Sequence, residues 1–430
     1  MKTLIENATI IPMTSEREIF QGDIAIDGKR IVALGERPHT FTPDRTINAH
    51  NMIAMPTWVN AHTHLSMTYF RNYRDSVSNL HDWLSEIWKL EDTLIAEDTY
   101  PASLLGIAEM ISSGSTCFAD MYFFPEGTVE AIQKTKVKAN IGITLFGDLQ
   151  ESKERVAERL PFLREQATRS QGKIRYDIAP HAVYTCTEAT LRYAVELAKQ
   201  ENCRIHIHAN ETLQEVDDSL NSFGKTPIAY LDSLGFSTVN CYYAHCVHPQ
   251  GEDIAILKKN RATVVHNPSS NCKLGSGIAP LATYLDEHIR VALGTDGASS
   301  NNTLDMFQEI RLAAMLAAAS TGDAGKVSPF DILSMATIGG ATALGRDSEC
   351  GTLEVGKDAD LMLLSTDSLH MTPLNNIFSA LVFSAKSSDV QTVFCSGELL
   401  MENRKILVLD EHQVIQEFND RWEQIQHRSS

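Results

Sequence analysis

Two histidines separated by one residue offer the first chemistry in this chain. His62 and His64 end the apolar run that begins at Met55. Because side chains alternate faces along a β-strand, this spacing places both imidazoles on the same side. Two histidines on one face make half of a metal site. The alternative is a pair of histidines satisfied by hydrogen bonds in a core or loop, so the interpretation depends on the other polar residues of the chain.

More polar residues follow apolar runs further along the chain. Six of the eight runs that we predict to be barrel strands end in them, and they are His62 and His64, His181, His206 to Glu211, His245 with His248, His266, and Asp296. Such groups are rarely buried unpaired, so core packing is a poor explanation for this recurrence. The grouping indicates a metal site at the mouth of a barrel.

The expected ligands are three histidines and one aspartate. His62, His64, one later histidine and Asp296 would supply three nitrogens and one oxygen and leave a position for water. The residue types do not choose between His206 and His208 as the third histidine, because both lie on the same face of the predicted strand.

Two further residues are expected to act beside that ion. A divalent ion lowers the pKa of bound water towards about 7 and so generates hydroxide at neutral pH. Glu211, three residues beyond His208, is placed to shuttle protons, and His245 is placed to polarise or orient the hydroxide.

The alternation of apolar and helical segments along the chain predicts the strands and helices that position these residues. Apolar runs alternate with segments of helical periodicity from residue 55 onwards, which predicts a (β/α)₈ TIM-like barrel. The predicted strands are Met55–His64, Ser115–Met121, Ala139–Asp148, Arg175–Val183, Cys203–Thr212, Asn240–His248, Ala262–Ser270 and Ile289–Gly297. Thr187–Glu201, Gly251–Asn260, Asn302–Ala319 and Pro329–Leu344 are predicted helices.

Short strands at both ends of the chain predict a second, smaller unit. An Asp27-Gly28 hairpin signal lies near the start, and strand character returns at 360–364 and 390–400. We therefore predict a β-sandwich domain from residues 1–54 and 350–405, a catalytic barrel from 55–349, and a C-terminal helical tail from 406–430.

Composition narrows the class of protein. The 430 residues carry a formal charge of −18, which argues against a nucleic-acid surface. No secretory signal and no membrane helix are recognisable. The eight cysteines form no C-x-x-C pair. We expect a cytoplasmic protein with reduced thiols and no membrane partner.

Several motifs carry a resemblance to a known family. The chain resembles the amidohydrolase superfamily and, within it, the 5′-methylthioadenosine/S-adenosylhomocysteine deaminases and their chlorohydrolase relatives. The matching segments include Val59–His64, Phe118–Tyr122, Pro180–His181, His208–Thr212, Ala244–Val247, His266–Leu274, Gly294–Asn302 and Gly351–Leu361. The resemblance covers nearly the whole chain.

The resemblance implies a hydrolytic deaminase with one divalent ion. It implies His62, His64, His208 and Asp296 as ligands, with Zn²⁺ the usual ion and Fe²⁺ used by some relatives. Hydroxide on the metal would attack the carbon that bears the amino group. Asp296 would accept the water's proton, Glu211 would protonate the adjacent ring nitrogen, and His245 would hold the hydroxide in line.

The resemblance also implies substrate contacts. Glu91 matches a glutamate that holds ribose hydroxyls, although by composition alone it is a solvated acid on an amphipathic helix. His181 matches a histidine that contacts the purine or sugar. Arg155 is a weak match for an arginine that grips the amino-acid tail of S-adenosylhomocysteine, and Phe146 replaces another. We therefore expect adenosine or 5′-methylthioadenosine to be better substrates than S-adenosylhomocysteine.

Two other functions compete with an adenine nucleoside deaminase. The first is a hydrolase on the same frame that acts on guanine, a pterin or an s-triazine, for which a ribose contact through Glu91 would be idle. The second is a non-catalytic scaffold, which is disfavoured because all four matching ligands and Glu211 are present. Homo-oligomerisation is an expectation at the level of the family.

Overall fold

The computed structural model describes residues 1–73, 75–76 and 80–429. In this part of the chain, no helix combines the length and apolar character needed to cross a membrane.

One mixed sheet is built from both ends of the chain. Its strands are β1 (Lys2–Ile10), β2 (Phe20–Asp27), β3 (Arg30–Gly35), β4 (Arg45–Asn48) and β5 (Met52–Pro56), and from the other end β14 (Leu361–Ser365), β15 (Val390–Cys395), β16 (Glu398–Glu402) and β17 (Lys405–Ile406). The order is β17-β16-β15-β14-β5-β1-β2-β3, with β4 paired to β1. The antiparallel pairing of β5 with β14 joins the two ends. The β2–β3 turn contains Gly28 at φ 58°, as the hairpin signal predicted.

Eight parallel strands form the barrel. They are β6 (Trp58–Thr63), β7 (Ser115–Tyr122), β8 (Lys138–Leu145), β9 (Ile174–Pro180), β10 (Ile205–Ala209), β11 (Cys241–His245), β12 (Thr263–His266) and β13 (Arg290–Leu293), in that spatial order. Next to the site, the two end strands are joined by the Asp296 N–H, which donates to the His62 carbonyl at 3.0 Å. The predicted fold class, a barrel with a β-unit from both chain ends, is confirmed.

Helices cover the barrel, as the alternating pattern predicted. They are α1 (Leu80–Glu91), α2 (Thr99–Ser112), α3 (Pro125–Thr135), α4 (Leu149–Arg169), α5 (Glu188–Glu201), α6 (Leu213–Phe223), α7 (Pro227–Ser233), α8 (Asp253–Lys259), α9 (Pro268–Lys273), α10 (Leu281–Asp286), α11 (Ala298–Asn301), α12 (Met306–Thr321), α13 (Pro329–Ser334), α14 (Gly340–Ala343), α15 (Ile377–Ser379) and α16 (Glu411–Ser429). Short 3₁₀ helices include Leu65–Phe70 and Ala96–Asp98. The predicted helix Pro329–Leu344 is α13, a π-helical turn at Met335–Gly339, and α14.

Several barrel strands are shorter than predicted. The fifth ends at Ala209 rather than Thr212, and the eighth ends at Leu293 rather than Gly297. Asn210 and Asp296 have φ of 53° and 60°, a left-handed conformation that ends a strand. At both positions the chain thus bends away from the strand direction as it reaches the barrel mouth. The division into 1–54 with 350–405, 55–349 and 406–430 stays our proposal.

Candidate metal centre and substrate pocket

The carboxyl ends of four barrel strands bring a compact group of histidines and one aspartate together. The Nε2 atoms of His62 and His64 each lie 3.2 Å from Asp296 Oδ1. His208 Nε2 lies 3.4 Å from His64 Nε2. Ligand atoms of His62, His64 and Asp296 fall within 4.8 Å of one another, as do those of His62, His208 and His245.

The hydrogen bonds of the three expected histidine ligands fix their orientation. The Nδ1–H groups of His64 and His208 donate to the carbonyls of Met121 (2.6 Å) and His181 (2.8 Å). His62 Nδ1 lies 2.8 Å from His206 Nε2. Each Nδ1 is therefore occupied, so each Nε2 faces a shared point, the space between the three rings and Asp296. Metal-binding histidines are held in this way.

A cation fits the shared point better than a hydrogen-bond network does. His62 Nε2 is buried and has no hydrogen-bond partner among the described residues, although Asp296 Oδ1 is only 3.2 Å away. Unprotonated nitrogens and a carboxylate that converge without donors between them form a typical divalent-metal donor set. The residues thus fit a divalent ion.

Asp296 is held as a charged carboxylate. Ser270 Oγ donates to Oδ2 at 2.7 Å, and the Gly297 N–H donates to Oδ1 at 2.9 Å. Both carboxylate oxygens therefore accept from fixed donors, and such hydrogen bonds favour the charged form. The carboxylate is therefore available to a cation at neutral pH.

His206 occupies a different place from His208. It lies beneath the metal-binding group, where its Nε2 faces His62 Nδ1 and its ring stacks on Tyr242 at 4.2 Å. Burial lowers the pKa of His206 well below its usual value, so it is a neutral acceptor that orients His62. This geometry supports the choice of His208, which the residue types had left open.

Glu211 and His245 face each other beside the metal-binding group. Glu211 Oε2 lies 3.6 Å from His245 Nε2, and Ser276 Oγ donates to Glu211 Oε1 at 3.1 Å. Burial, reinforced by the charges of Asp296 and Glu215, raises the pKa of Glu211 well above its usual value. The Glu211 carboxyl therefore holds a proton more readily than an ordinary glutamate does.

His245 is a neutral imidazole. Burial lowers its pKa to about 3. The Asn271 side-chain amide donates to Nδ1 at 2.8 Å, which leaves Nε2 as the protonated nitrogen facing the pocket. His245 itself has φ of 75°, at the end of β11. It can donate a hydrogen bond to a bound oxygen.

An apolar pocket opens above this group. It is lined by His64, Met67, Leu80, Trp83, Leu84, Trp88, Glu91, Met121, Tyr122, Phe123, Thr144, Phe146, His181, Tyr184, His208, Glu211, His245, Leu274, Asp296 and Ser300. Apart from the site residues, aromatic and aliphatic side chains dominate the wall, as in typical small-molecule sites. Trp83 and Trp88, both on α1, therefore border the pocket.

Glu91 is a buried wall residue rather than a solvated acid. It is 8% exposed, and the Tyr122 hydroxyl donates to its Oε1 at 2.7 Å. Burial raises the pKa of Glu91 to about 7, although the hydrogen bond from Tyr122 opposes that rise. Within the described part of the chain, no hydrogen bond occupies its other oxygen, which can therefore accept from a ligand in the pocket.

The two remaining predicted contact residues differ in position. His181 lines the pocket, its Nδ1 lies 2.9 Å from Thr185 Oγ1, and burial lowers its pKa to about 3. Arg155 lies outside the pocket lining. It donates to the Phe146 carbonyl at 3.0 Å and lies over the ring of Phe123 at 5.9 Å.

Sequence reasoning missed three residues of the site. Tyr122 ends β7 at the barrel mouth, so its strand-end position was a usable signal. Asn271 lies on a short helix after β12, within the segment His266–Leu274 that carried the family resemblance, but it was given no role there. Ser276 lies in the loop after that helix, outside every matching segment.

Comparisons with known proteins agree with this geometry. The family model described as "Amidohydrolase family" matches residues 53–400. A 5-methylthioadenosine/S-adenosylhomocysteine deaminase from Thermoanaerobacter pseudethanolicus is 42% identical over 419 residues, which are 96% of this chain and 97% of that protein. The relative from Caldanaerobacter subterraneus that bears the same name is 41% identical over 98% of each chain.

Solved structures are similar over almost the full length. An adenosine deaminase from Xanthomonas campestris with bound zinc has a TM-score of 0.92 and 32% identity, covering 99% of this chain and 98% of that one. An atrazine chlorohydrolase from Arthrobacter aurescens complexed with zinc has a TM-score of 0.89 and 24% identity, covering 98% of this chain and all of that one. The second similarity shows the fold alone.

Proposed function

The chain belongs to the amidohydrolase family, and from this premise we propose that it is a hydrolytic deaminase that releases ammonia from the 6-amino group of an adenine nucleoside. One observation carries the proposal. The Glu211 carboxyl, whose pKa burial raises, and the neutral imidazole of His245 face each other beside a metal-binding group, at the base of a pocket whose wall contains Glu91.

We propose His62, His64, His208 and Asp296 as the metal ligands. The oriented Nε2 atoms and the charged carboxylate support this set. A divalent ion bound there supplies Lewis acidity and lowers the pKa of a coordinated water towards about 7. Zn²⁺ is the proposed ion, since zinc occupies the similar adenosine deaminase structure, and Fe²⁺ is the alternative.

The side chains of the chain itself divide the proton transfers between them. Asp296 is the charged base that accepts a proton from the attacking water. Glu211 enters protonated and donates from its carboxyl to the ring nitrogen next to the reacting carbon, while Ser276 holds its other oxygen. His245 Nε2–H orients the attacking oxygen. The amino group then takes up the proton that Asp296 received, its bond to the ring carbon breaks and ammonia leaves, while the remaining proton of the added oxygen returns to Glu211 as the carbonyl forms.

The wall of the pocket supports a nucleoside with an apolar 5′ group. Tyr122 occupies Glu91 Oε1, so the second oxygen is free to accept from ribose hydroxyls. The described residues that line the pocket include no lysine or arginine, and Arg155 is bound to the Phe146 carbonyl. A substrate carboxylate would be poorly paired there, which favours adenosine and 5′-methylthioadenosine over S-adenosylhomocysteine.

Ammonia release tests this proposal. Metal-loaded protein is assayed with adenosine, 5′-methylthioadenosine, S-adenosylhomocysteine, adenine and guanine. Glu211→Gln, which cannot give up a carboxyl proton, should lower kcat on the best nucleoside by about 10²- to 10⁴-fold. Glu196→Gln, at an exposed position of α5, is the matched control and should leave kcat unchanged.

Two results would contradict the proposal. Turnover of free bases alone would remove the nucleoside assignment and the role of Glu91. Full activity of Glu211→Gln on a nucleoside would remove the proton donor.

A further inference from the structure

The C-terminal helix packs on the outer side of the segment that covers the pocket. We call this segment the pocket roof, meaning the 3₁₀ helix Leu65–Phe70 together with α1. The ring of Tyr69 stacks on Phe418 at 4.6 Å and on Trp422 at 5.7 Å, both with an interplanar angle of 16°. Ile425 of the same helix is fully buried. Two aromatic residues of α16 thus contact the 3₁₀ helix of the roof.

A buried carboxylate ties the helix down next to these aromatic contacts. Asp98 is fully buried, and its two oxygens accept from Arg421 Nε and Arg428 Nη2. The Ile95 N–H also donates to its Oδ2 at 2.8 Å, and the Tyr69 hydroxyl donates to its backbone carbonyl at 3.0 Å. We call Asp98, Arg421 and Arg428 the clasp.

The two arginines of the clasp supply the positive charge that the buried carboxylate of Asp98 requires. A carboxylate buried without a partner is strongly destabilising, so Asp98 depends on the two arginines of α16. Asp98 lies seven residues after Glu91 and one residue before α2. The clasp therefore fixes the chain seven residues beyond the end of α1, while the Tyr69 stack fixes the 3₁₀ helix that precedes α1 in the chain.

The inner side of the roof forms part of the pocket wall. Met67, Trp83, Leu84, Trp88 and Glu91 all line the pocket. The apolar residues of this set pack in one hydrophobic cluster that also includes Phe418, Trp422 and Ile425. Packed interiors transmit displacements rather than absorbing them, so the outer contacts of the roof and the position of its inner side chains are mechanically linked.

We propose that the clasp and the Tyr69 stack are positioning elements for substrate binding. In this role α16 holds the roof in the position from which Glu91 can contact the nucleoside. The inference rests on the proposed function. His64 directly precedes the roof, but β7 holds this junction, because the Met121 carbonyl accepts from His64 Nδ1–H and Asp120 Oδ1 accepts from the Leu65 N–H at 2.8 Å. Loosening the roof at α16 therefore raises KM and leaves kcat nearly unchanged.

Hydrogen exchange together with steady-state kinetics tests the inference. The double variant Arg421→Ala/Arg428→Ala opens the clasp, and Trp422→Ala removes a stacking ring while leaving the clasp intact. Arg421→Lys/Arg428→Lys keeps the charge and should restore part of the effect. Arg169→Ala/Arg192→Ala, which removes two exposed arginines that pair along their own helices, is the matched control.

The expected result has two parts. Amide exchange in residues 65–73 and 80–91 becomes faster in both disrupted variants, while exchange in the barrel strands is unchanged. The KM for 5′-methylthioadenosine rises about 3- to 30-fold, the range of coupling that packed networks carry, and kcat stays within about threefold.

The inference fails if roof exchange is unchanged when the clasp is open. It also fails if kcat falls while KM stays constant, because that result places the effect in the chemical step. If no nucleoside is turned over even by the unaltered protein, the proposed function is wrong. Roof exchange then still decides whether the clasp holds the roof.

Discussion

Glu91→Gln should raise the stability of the protein above neutral pH while lowering its activity on nucleosides. Burial raises the pKa of Glu91 to about 7 in the folded protein, against 4.5 for an ordinary glutamate. Below pH 4.5 the carboxyl is protonated in both states, and its contribution to stability is complete. As the pH rises, the unfolded chain loses this proton first, so the contribution is lost between about 4.5 and 7 and is gone above 7.

The size of this effect follows from the two pKa values. Each pKa unit corresponds to about 1.4 kcal/mol, so ionisation of Glu91 costs about 3 kcal/mol of folding free energy between pH 4.5 and pH 8. Glutamine has no proton to lose. The unfolding free energy of the variant, relative to the unaltered protein, should therefore increase by about that amount across this range.

The same substitution weakens the proposed ribose contact. A hydrogen bond from a hydroxyl to a carboxylate is worth about 1.5 to 3 kcal/mol, which corresponds to about a 10- to 150-fold loss of kcat/KM on adenosine. Because ribose hydroxyls are donors, the ionised carboxylate binds them better. The KM of the unaltered protein should therefore fall as the pH rises from 6 to 8, and the KM of the variant should not change.

Chemical denaturation at pH 5 and pH 8 and kinetics on adenosine measure both effects. Glu97→Gln, at an exposed position close in sequence, is the control and should change neither quantity. Equal pH dependence of stability in Glu91→Gln and the unaltered protein would refute the buried acid. A kcat/KM on adenosine within threefold of the unaltered value would refute the ribose contact.

Two further predictions concern the metal and the far wall of the pocket. Removal of the metal by a chelator should abolish ammonia release and lower Tm, because the ion binds only the folded donor set. Readdition of Zn²⁺ should restore both activity and Tm. An unchanged Tm would contradict the proposed ligands. Phe146→Arg should raise kcat/KM on S-adenosylhomocysteine relative to 5′-methylthioadenosine by about tenfold, because it adds a guanidinium that can pair with the substrate carboxylate. Phe146→Leu should leave this ratio unchanged. Equal ratios in the two variants would refute the argument that the apolar wall disfavours a substrate carboxylate.

The positions of the polar residues along the chain were readable because parallel strands share a direction. Once eight apolar runs alternate with helices, the residues that follow each run must meet at one mouth of the barrel. The barrel prediction is confirmed, and so is the membership of the amidohydrolase family. The roles assigned to His62, His64, His208 and Asp296 remain proposals that this geometry supports.

The strand ends could not be read with the same accuracy. Asp296 and His245 have positive φ, a conformation that local propensity disfavours for these residues. Contacts elsewhere in the barrel hold them there, for example the bond between the Asp296 N–H and the His62 carbonyl. Local patterns therefore made the predicted strands too long at the site.

The sequence by itself determined the fold class, the order of the site residues and the kind of chemistry they can do. Only the tertiary structure decided that Glu91 is a buried wall residue rather than a solvated acid, and that Arg155 binds a backbone carbonyl outside the pocket lining. It also decided that α16 packs on the pocket roof. The physical reason is the distance along the chain over which each signal acts. Periodicity shows only which face of its own helix or strand a side chain lies on. Burial and hydrogen-bond partners depend on segments as far apart in sequence as Asp98 and Arg428.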